Sequence, residues 1–404
     1  MSKKNRPGRN DPCWCGSEIK FKKCHLNRSS QAPLTRADLE SSTKRISSTE
    51  KCSINAARRP ECSEKIAKAH TISKSASLKL IAENGQVMGT KPSLAQLIKT
   101  NGVLSLTSVA IKRASTFTGF CTHHDKTLFS PIEDKPITLS DEQLFLLAYR
   151  SIARELYAKE GNSQTAETLR KVDRGRTEVE QVFIQGTASQ YNRGVNLALT
   201  ELNKIKNTLD ELLTHGDFKN LNHFVVEFSQ LPSVLVSAST QPEFDFLGNR
   251  LQQFGSSSAP MSHIIFNCIS FDQTGCFVFS WIHAHDAVCT AFTESLFKLG
   301  AQEIGNALVR FSYSFSENTW ASPKWWRSLD KEAKIDISAR LQEGVFLPHS
   351  PRTLTPNNIE FGAFHVDRYY YRRSKNSTQP SKNALFSSEK KENRQNQTIH
   401  SKIN

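Results

Sequence analysis

The residues best equipped for chemistry crowd into one short stretch, GRNDPCWCGSEIKFKKCH, which holds Cys13, Cys15, Cys24 and His25. Thiolates and an imidazole at this spacing suit a tetrahedral divalent ion, zinc above all, which itself drives the thiols to deprotonate. Cys13 and Cys15 can meet one ion from a tight turn, Cys24 closes the loop and His25 supplies the fourth donor. The flanking residues serve the same end. Asp11-Pro12 opens a turn, Gly16 permits the backbone bend, and Phe21 offers a small apolar lid. Four protein donors fill the coordination sphere and leave no place for water or substrate, so the expected site is structural rather than catalytic. The stretch has no apolar run from which to build a core, and an ion must take the place of one.

The segment resembles a SEC-C zinc finger, the C-x-C-x8-C-H module known at the C-terminus of the bacterial secretion ATPase. All four ligand positions match, as do Gly8-Arg9-Asn10-Asp11-Pro12 before them and Gly16-Ser17 within the loop. Trp14 stands where that family usually has proline, and Glu18-Ile19 where it has a Gly-Lys pair. The resemblance implies one bound Zn2+ and a docking role, since the family's finger engages a chaperone and the ribosome.

A second constellation follows. Cys52 and Cys62 precede His70 in AHTI, and GFCTHHDKTLF holds Cys121, His123, His124 and Asp125. Cys121-x-x-His124 is a half-site for zinc at a strand-to-helix corner, and Cys52 with Cys62 would supply the other half from a separate knuckle. The order of elements also resembles a treble-clef finger of the HNH nuclease type. That resemblance implies His70 as general base, with His123, His124 or Asp125 holding Mg2+ or Mn2+ against a scissile phosphate. Three features depart from that family: Ser115 and Thr116 stand where an asparagine usually precedes the corner, the insertion from His70 to Cys121 is long, and Cys52 and Cys62 are wider apart than C-x-x-C. A third group, His283, His285 and Asp286 in WIHAHDAV, resembles an H-x-H-x-D metal motif on a strand, but Ala287 replaces its last carboxylate. Gly-rich phosphate loops, nucleophile elbows and dinucleotide fingerprints are absent from the sequence.

The totals set the frame for these groups. The chain has 404 residues, 37% of them apolar, and a mean hydropathy of -0.48, enough for two or three domains with a solvated remainder. The count of nine cysteines is odd, which argues for metal ligation over a full disulfide framework. No apolar run approaches the roughly 20 residues a bilayer needs, and no signal segment opens the chain, so a cytoplasmic protein is expected. The net charge of +14 sits at the ends: residues 1–75 carry 17 Lys and Arg against 7 Asp and Glu, and residues 371–404 carry 8 against 2. Basic arms of this kind suit a protein or nucleic-acid partner.

The expected architecture is an α+β multidomain chain: a SEC-C-like finger (1–27), a Ser/Thr-rich linker (28–50), a treble-clef zinc-binding domain (51–135), a helical hairpin (136–215), an α+β domain (216–371) and a disordered basic tail (372–404). Leu78 and Leu80 with Asn84-Gly85 predict a β-hairpin. Ser140 and Gln143 predict a capping box, and Gly161 a stop. Val195, Leu199, Leu202, Ile205, Leu209 and Leu212 step by three and four, which predicts a coiled pair over 163–213 and a surface for homo-oligomers. Four strands are predicted in HFVVEF, SVLVSA, HIIFNCISF and CFVFSWIHA, then a helix near Asp286.

Overall fold

The computed structural model describes residues 6–47, 50–90, 103–254, 260–343, 348–374 and 384–385. The chain divides into two compact units, one made of Met1–Lys51 and Leu156–Lys204, the other of Cys52–Glu155 and Ile205–Asn404. The fold is α+β, as expected, but each unit is assembled from segments remote in sequence.

The helical hairpin is built from Asp141–Lys171 and Glu178–His215. Its start follows the predicted capping box: the Gln143 amide donates to Ser140 Oγ at 3.3 Å, and the Ser140 amide to Gln143 Oε1 at 3.4 Å. Gly161 does not stop the first helix, which continues to Lys171. The break falls at Gly175, whose φ of +72° favours glycine. A Cβ there would also stand 3.0 Å from the Gln31 carbonyl and 2.9 Å from Pro33, so the first unit's 28–33 segment packs only against a bare backbone. The Gly175 amide donates to the Arg28 carbonyl at 3.1 Å. Segment 28–50, read from composition as a linker, contains a helix at Arg36–Ser47.

The second unit is organised on strands β1 (Ile66–His70), β2 (Gln86–Gly89), β3 (Thr107–Ala110), β4 (Thr116–Cys121), β5 (Asn222–Phe228), β6 (Val234–Thr240), β7 (Ile264–Phe271), β8 (Thr274–Trp281), β9 (Thr319–Ala321), β10 (Val366–Arg372) and β11 (Ala384–Leu385). Nine of them form an antiparallel sheet in the order β11-β10-β5-β8-β7-β6-β9-β2-β3. The four predicted strands are its centre. Phe266, Cys268, Phe277 and Phe279 face a core completed by Phe292 and Leu296 of helix Asp286–Leu296 and by Leu308 and Phe311 of helix Ala301–Phe315. The opposite face meets the first long helix, where the Ser151 hydroxyl lies 2.8 Å from Ser237 Oγ and donates to Asn267 Oδ1 at 2.9 Å. Burial on both faces explains why these strands read as continuous apolar runs.

Segment 51–135 contributes strands to two sheets of the second unit. Strands β2 and β3 extend the large sheet, while β1 and β4 pair separately as a two-stranded antiparallel sheet. Gly89 makes the first possible, because a Cβ there would strike the Trp320 ring at 2.4 Å. The predicted hairpin is half formed. Asn84 and Gly85 take φ of +50° and +70° and close a two-residue turn between Glu83 and Gln86, but Lys74–Ile81 is helical instead of a strand. Ser73 Oγ accepts from the Ala76 amide at 3.1 Å and starts that turn, and Leu78 and Ile81 bury themselves together at helical spacing. The tail read as disordered lies outside the described residues from 375 on, apart from Ala384–Leu385, which pair with β10. Among the described residues no helix is long and apolar enough to cross a membrane.

Candidate metal centres

The first unit gathers Cys13, Cys15, Cys24 and His25 with all four donor atoms within 4.8 Å of one another. Local backbone bonds set the loop. The Cys13 amide donates to the Ile19 carbonyl at 2.9 Å, the Phe21 amide to Asp11 at 2.8 Å, and Cys24, His25 and Leu26 all donate to the Phe21 carbonyl. Gly16 turns the chain at φ +75°, and Phe21 is buried as the lid. His25 Nδ1 lies 3.2 Å from Cys13 Sγ and 3.1 Å from Cys24 Sγ, and Cys15 Sγ lies 3.6 Å from Cys24 Sγ. A tetrahedral zinc with bonds of about 2.3 Å to sulfur and 2.0 Å to nitrogen would separate its donors by about 3.5–3.8 Å. The group needs to open only slightly to match that size.

The chain's other end of this site is Asp173, 148 residues away, fully buried in the turn between the long helices. Because Nδ1 of His25 faces the thiols, Nε2 carries the proton and donates to Asp173 Oδ2 at 2.8 Å. Arg28 Nε and Gln185 Nε2 donate to the same carboxylate at 2.6 and 2.7 Å. The site's carboxylate–histidine pair thus fixes the imidazole as metal-binding outer partners do. Trp14 packs on the His25 ring at 4.5 Å.

This is the geometry of a known module. Residues 9–27 match the SEC-C motif. Neither the curated proteins nor the solved structures yield a match to the chain. The SEC-C match therefore speaks for the finger alone.

The SEC-C thiols crowd one another electrostatically. Burial, and then the neighbouring Cys15, push the Cys13 thiol up to about 12, and burial also raises Cys24. Burial would raise Cys15 too, but hydrogen bonds with Ser17 outweigh it and hold that thiol below its ordinary value. Three thiolates this close cannot all carry charge unaided, and a divalent ion removes the conflict.

A second group lies in the other unit: Cys52, Cys62, Cys121 and His124, again with donors within 4.8 Å of one another. His124 Nδ1 is 3.1 Å from Cys121 Sγ, 3.6 Å from Cys62 Sγ and 3.7 Å from Cys52 Sγ. Cys121 ends β4 and caps helix Thr122–Glu133, its sulfur accepting from the His124 amide at 3.5 Å. Burial would raise the Cys121 thiol, but the His124 amide and Ser63 bring it down to about 6, as expected at a helix N-terminus. Desolvation, then Cys52 and Cys121, push Cys62 up to about 12. Glu61 Oε2 stands 3.5 Å from the buried Nε2 of His124.

Among the described residues His70, His123, His124 and Asp125 do not form one donor group. His70 Nε2 lies 3.1 Å from the Ile111 carbonyl and belongs to no donor group among the described residues. Asp125 belongs to none either; burial holds its carboxyl above the usual range, and the charges acting on it are Arg150 and Glu133. His123 is exposed and, among the described residues, shares a donor group only with Glu61 and His124. His283 and His285 are not on a strand: β8 ends at Trp281, and the two histidines form a 3-10 turn into helix Asp286–Leu296. Asp286 there accepts from Trp281 Nε1 at 2.9 Å. Cys268, Cys276 and Cys289 are core thiols whose burial raises them well above their ordinary value.

Sequence reading missed Asp173 and Glu61. Neither sits in a motif, and only the folded chain brings them to their histidines.

Proposed function

We propose that the chain is a zinc-binding adaptor whose SEC-C finger holds one structural Zn2+ through Cys13, Cys15, Cys24 and His25 and presents a basic surface to a protein or nucleic-acid partner. The observation that carries this reading is the closed quartet itself: four protein donors, spaced for a tetrahedral ion, with the histidine already oriented by Asp173. Such a site supplies shape and no open coordination position, which supports recognition rather than turnover. Around it Arg9, Lys20, Lys22 and Lys23 are exposed, beside the half-exposed Ile19. That mixture of cations with one apolar contact suits an anionic partner. The exposed Val179, Val182 and Phe183 on the second long helix support self-association through the 163–213 segment.

The test is binding of labelled single-stranded and duplex nucleic acid by the full-length protein across a salt series. Replacing Lys20, Lys22 and Lys23 by Glu is expected to abolish binding, and chelation to weaken it. Absence of any binding at low salt leaves the protein partner. Binding indifferent to both charge reversal and chelation removes the finger from recognition.

A further inference from the structure

We infer that Cys52, Cys62, Cys121 and His124 form a second closed zinc centre, loaded independently of the finger, which staples segment 52–65 to the β1–β4 strand pair.

The first support is what else holds that segment. Among residues 52–65 only Ile54 is buried, so apolar burial cannot fix it. Its backbone ties are sparse: the Ser53 amide donates to the Gly119 carbonyl at 2.8 Å, and the Thr122 amide to Lys65 at 2.9 Å. Yet Cys52, four residues before the turn Ala56–Glu61, and Cys62, which caps its end, both direct their sulfurs to within 3.7 Å of one imidazole nitrogen. A cross-link through a common ion accounts for that convergence.

The second support is the histidine. His124 is fully buried, with Nδ1 against three sulfurs and Nε2 without a hydrogen bond among the described residues. With Nδ1 given to a metal, the Nε2 proton points at Glu61, 3.5 Å away. This repeats, with a looser carboxylate, the His25–Asp173 arrangement of the finger. Three soft thiolates and one imidazole select zinc over magnesium or calcium.

The order of the parts agrees. A cysteine-bearing turn, an antiparallel strand pair and a helix whose first turn holds two donors make a treble-clef arrangement, here with residues 71–115 inserted between the strands. The rival group Glu61–His123–His124 would use Nε2 instead, but Glu61 already accepts from Arg58 at 2.9 Å and His123 is exposed.

The experiment is elemental analysis of full-length protein purified without chelator. Two zinc ions per chain are expected in the wild type, one in the Cys13→Ser/Cys24→Ser double variant, and one in Cys62→Ser. Because Cys62→Ser removes a structural ligand and can unfold, the double variant decides separately: all four donors of the second centre are intact in it. Loaded with Co2+, it should show the charge-transfer absorption of a multi-thiolate site, and His123→Ala should retain both zinc ions. One zinc in the wild type, none in the double variant, or two in Cys62→Ser overturns the inference. Cobalt bound without thiolate absorption, or a zinc lost in His123→Ala, assigns the metal to the rival group and overturns it as well.

Discussion

Two groups of three cysteines and one histidine occupy this chain, and they are built in opposite ways. In the finger all four donors lie between Cys13 and His25, and backbone bonds within the same loop aim them. In the second unit the donors run from Cys52 to His124, and a strand pair and a helix start must form before they meet. The outer carboxylates differ in the same sense. Asp173 is fully buried and bonded to His25 at 2.8 Å, whereas Glu61 is exposed and 3.5 Å from His124. The finger is aimed by bonds within its own loop and by one remote carboxylate, while the second site waits on a strand pair and a helix start.

The largest expected effect separates the two on that basis. Chelation should collapse the amide dispersion of residues 8–27 in an NMR spectrum, because structural zinc in small fingers supplies about 10 kcal/mol or more of folding free energy. Strands β5 to β8 should keep their dispersion, since their core contains no donor group. A finger equally ordered before and after chelation would break the comparison.

Acid tests whether the second unit has a weakness of its own. His223 is fully enclosed beside Ser280, and burial, with Arg372 adding to it, lowers it to about 3. Its folded value lies below the unfolded value of about 6.5, so protons favour the unfolded chain. Stability is therefore whole above about pH 6.5 and declines as pH falls toward 3, by about 1.4 kcal/mol per unit. Urea unfolding of the wild type and His223→Asn at pH 7 and pH 5 should show the smaller acid loss in the variant. Equal losses would assign acid sensitivity to the metal sites alone.

The outer carboxylates give the next effect. Asp173→Asn should lower zinc affinity of the finger by about 10–100-fold, and Glu61→Gln should lower that of the second centre by less, about tenfold at most. Competition with a coloured chelator, with the other centre removed by mutation, measures both. Equal effects would mean that burial of the carboxylate does not matter.

The smallest effects concern the hairpin that carries Asp173. Gly175→Ala meets both a positive φ and the Gln31 carbonyl, so it should destabilise the first unit by more than about 1 kcal/mol. Gly186→Ala sits in a helix with open space around it and should stabilise by about 0.5–1 kcal/mol. Thermal unfolding of the two variants reads the difference.

What could be read from the chain follows the range of each interaction. The ligands of the finger, the Ser140 capping box, the Asn84-Gly85 turn and the four central strands all depend on neighbours within a few positions. The strand expected at Leu78 and Leu80 failed because a local cap at Ser73 and burial of Leu78 with Ile81 favoured a helical turn. Gly161 was misread as a stop because a glycine inside a helix costs only about 1 kcal/mol, which packing along the hairpin outweighs.

The sequence by itself determined that a small zinc-sized donor set opens this chain, that its middle is helical and that apolar strands follow. Spacing alone fixes those features, since each arises from contacts a few residues apart. The folded structure decided the rest: that Asp173 holds His25, that Cys52 and Cys62 reach Cys121 and His124, that β2 and β3 join the large sheet, and that His70 turns to the Ile111 carbonyl. Each of those depends on which distant surfaces bury one another, and burial is a property of the whole chain.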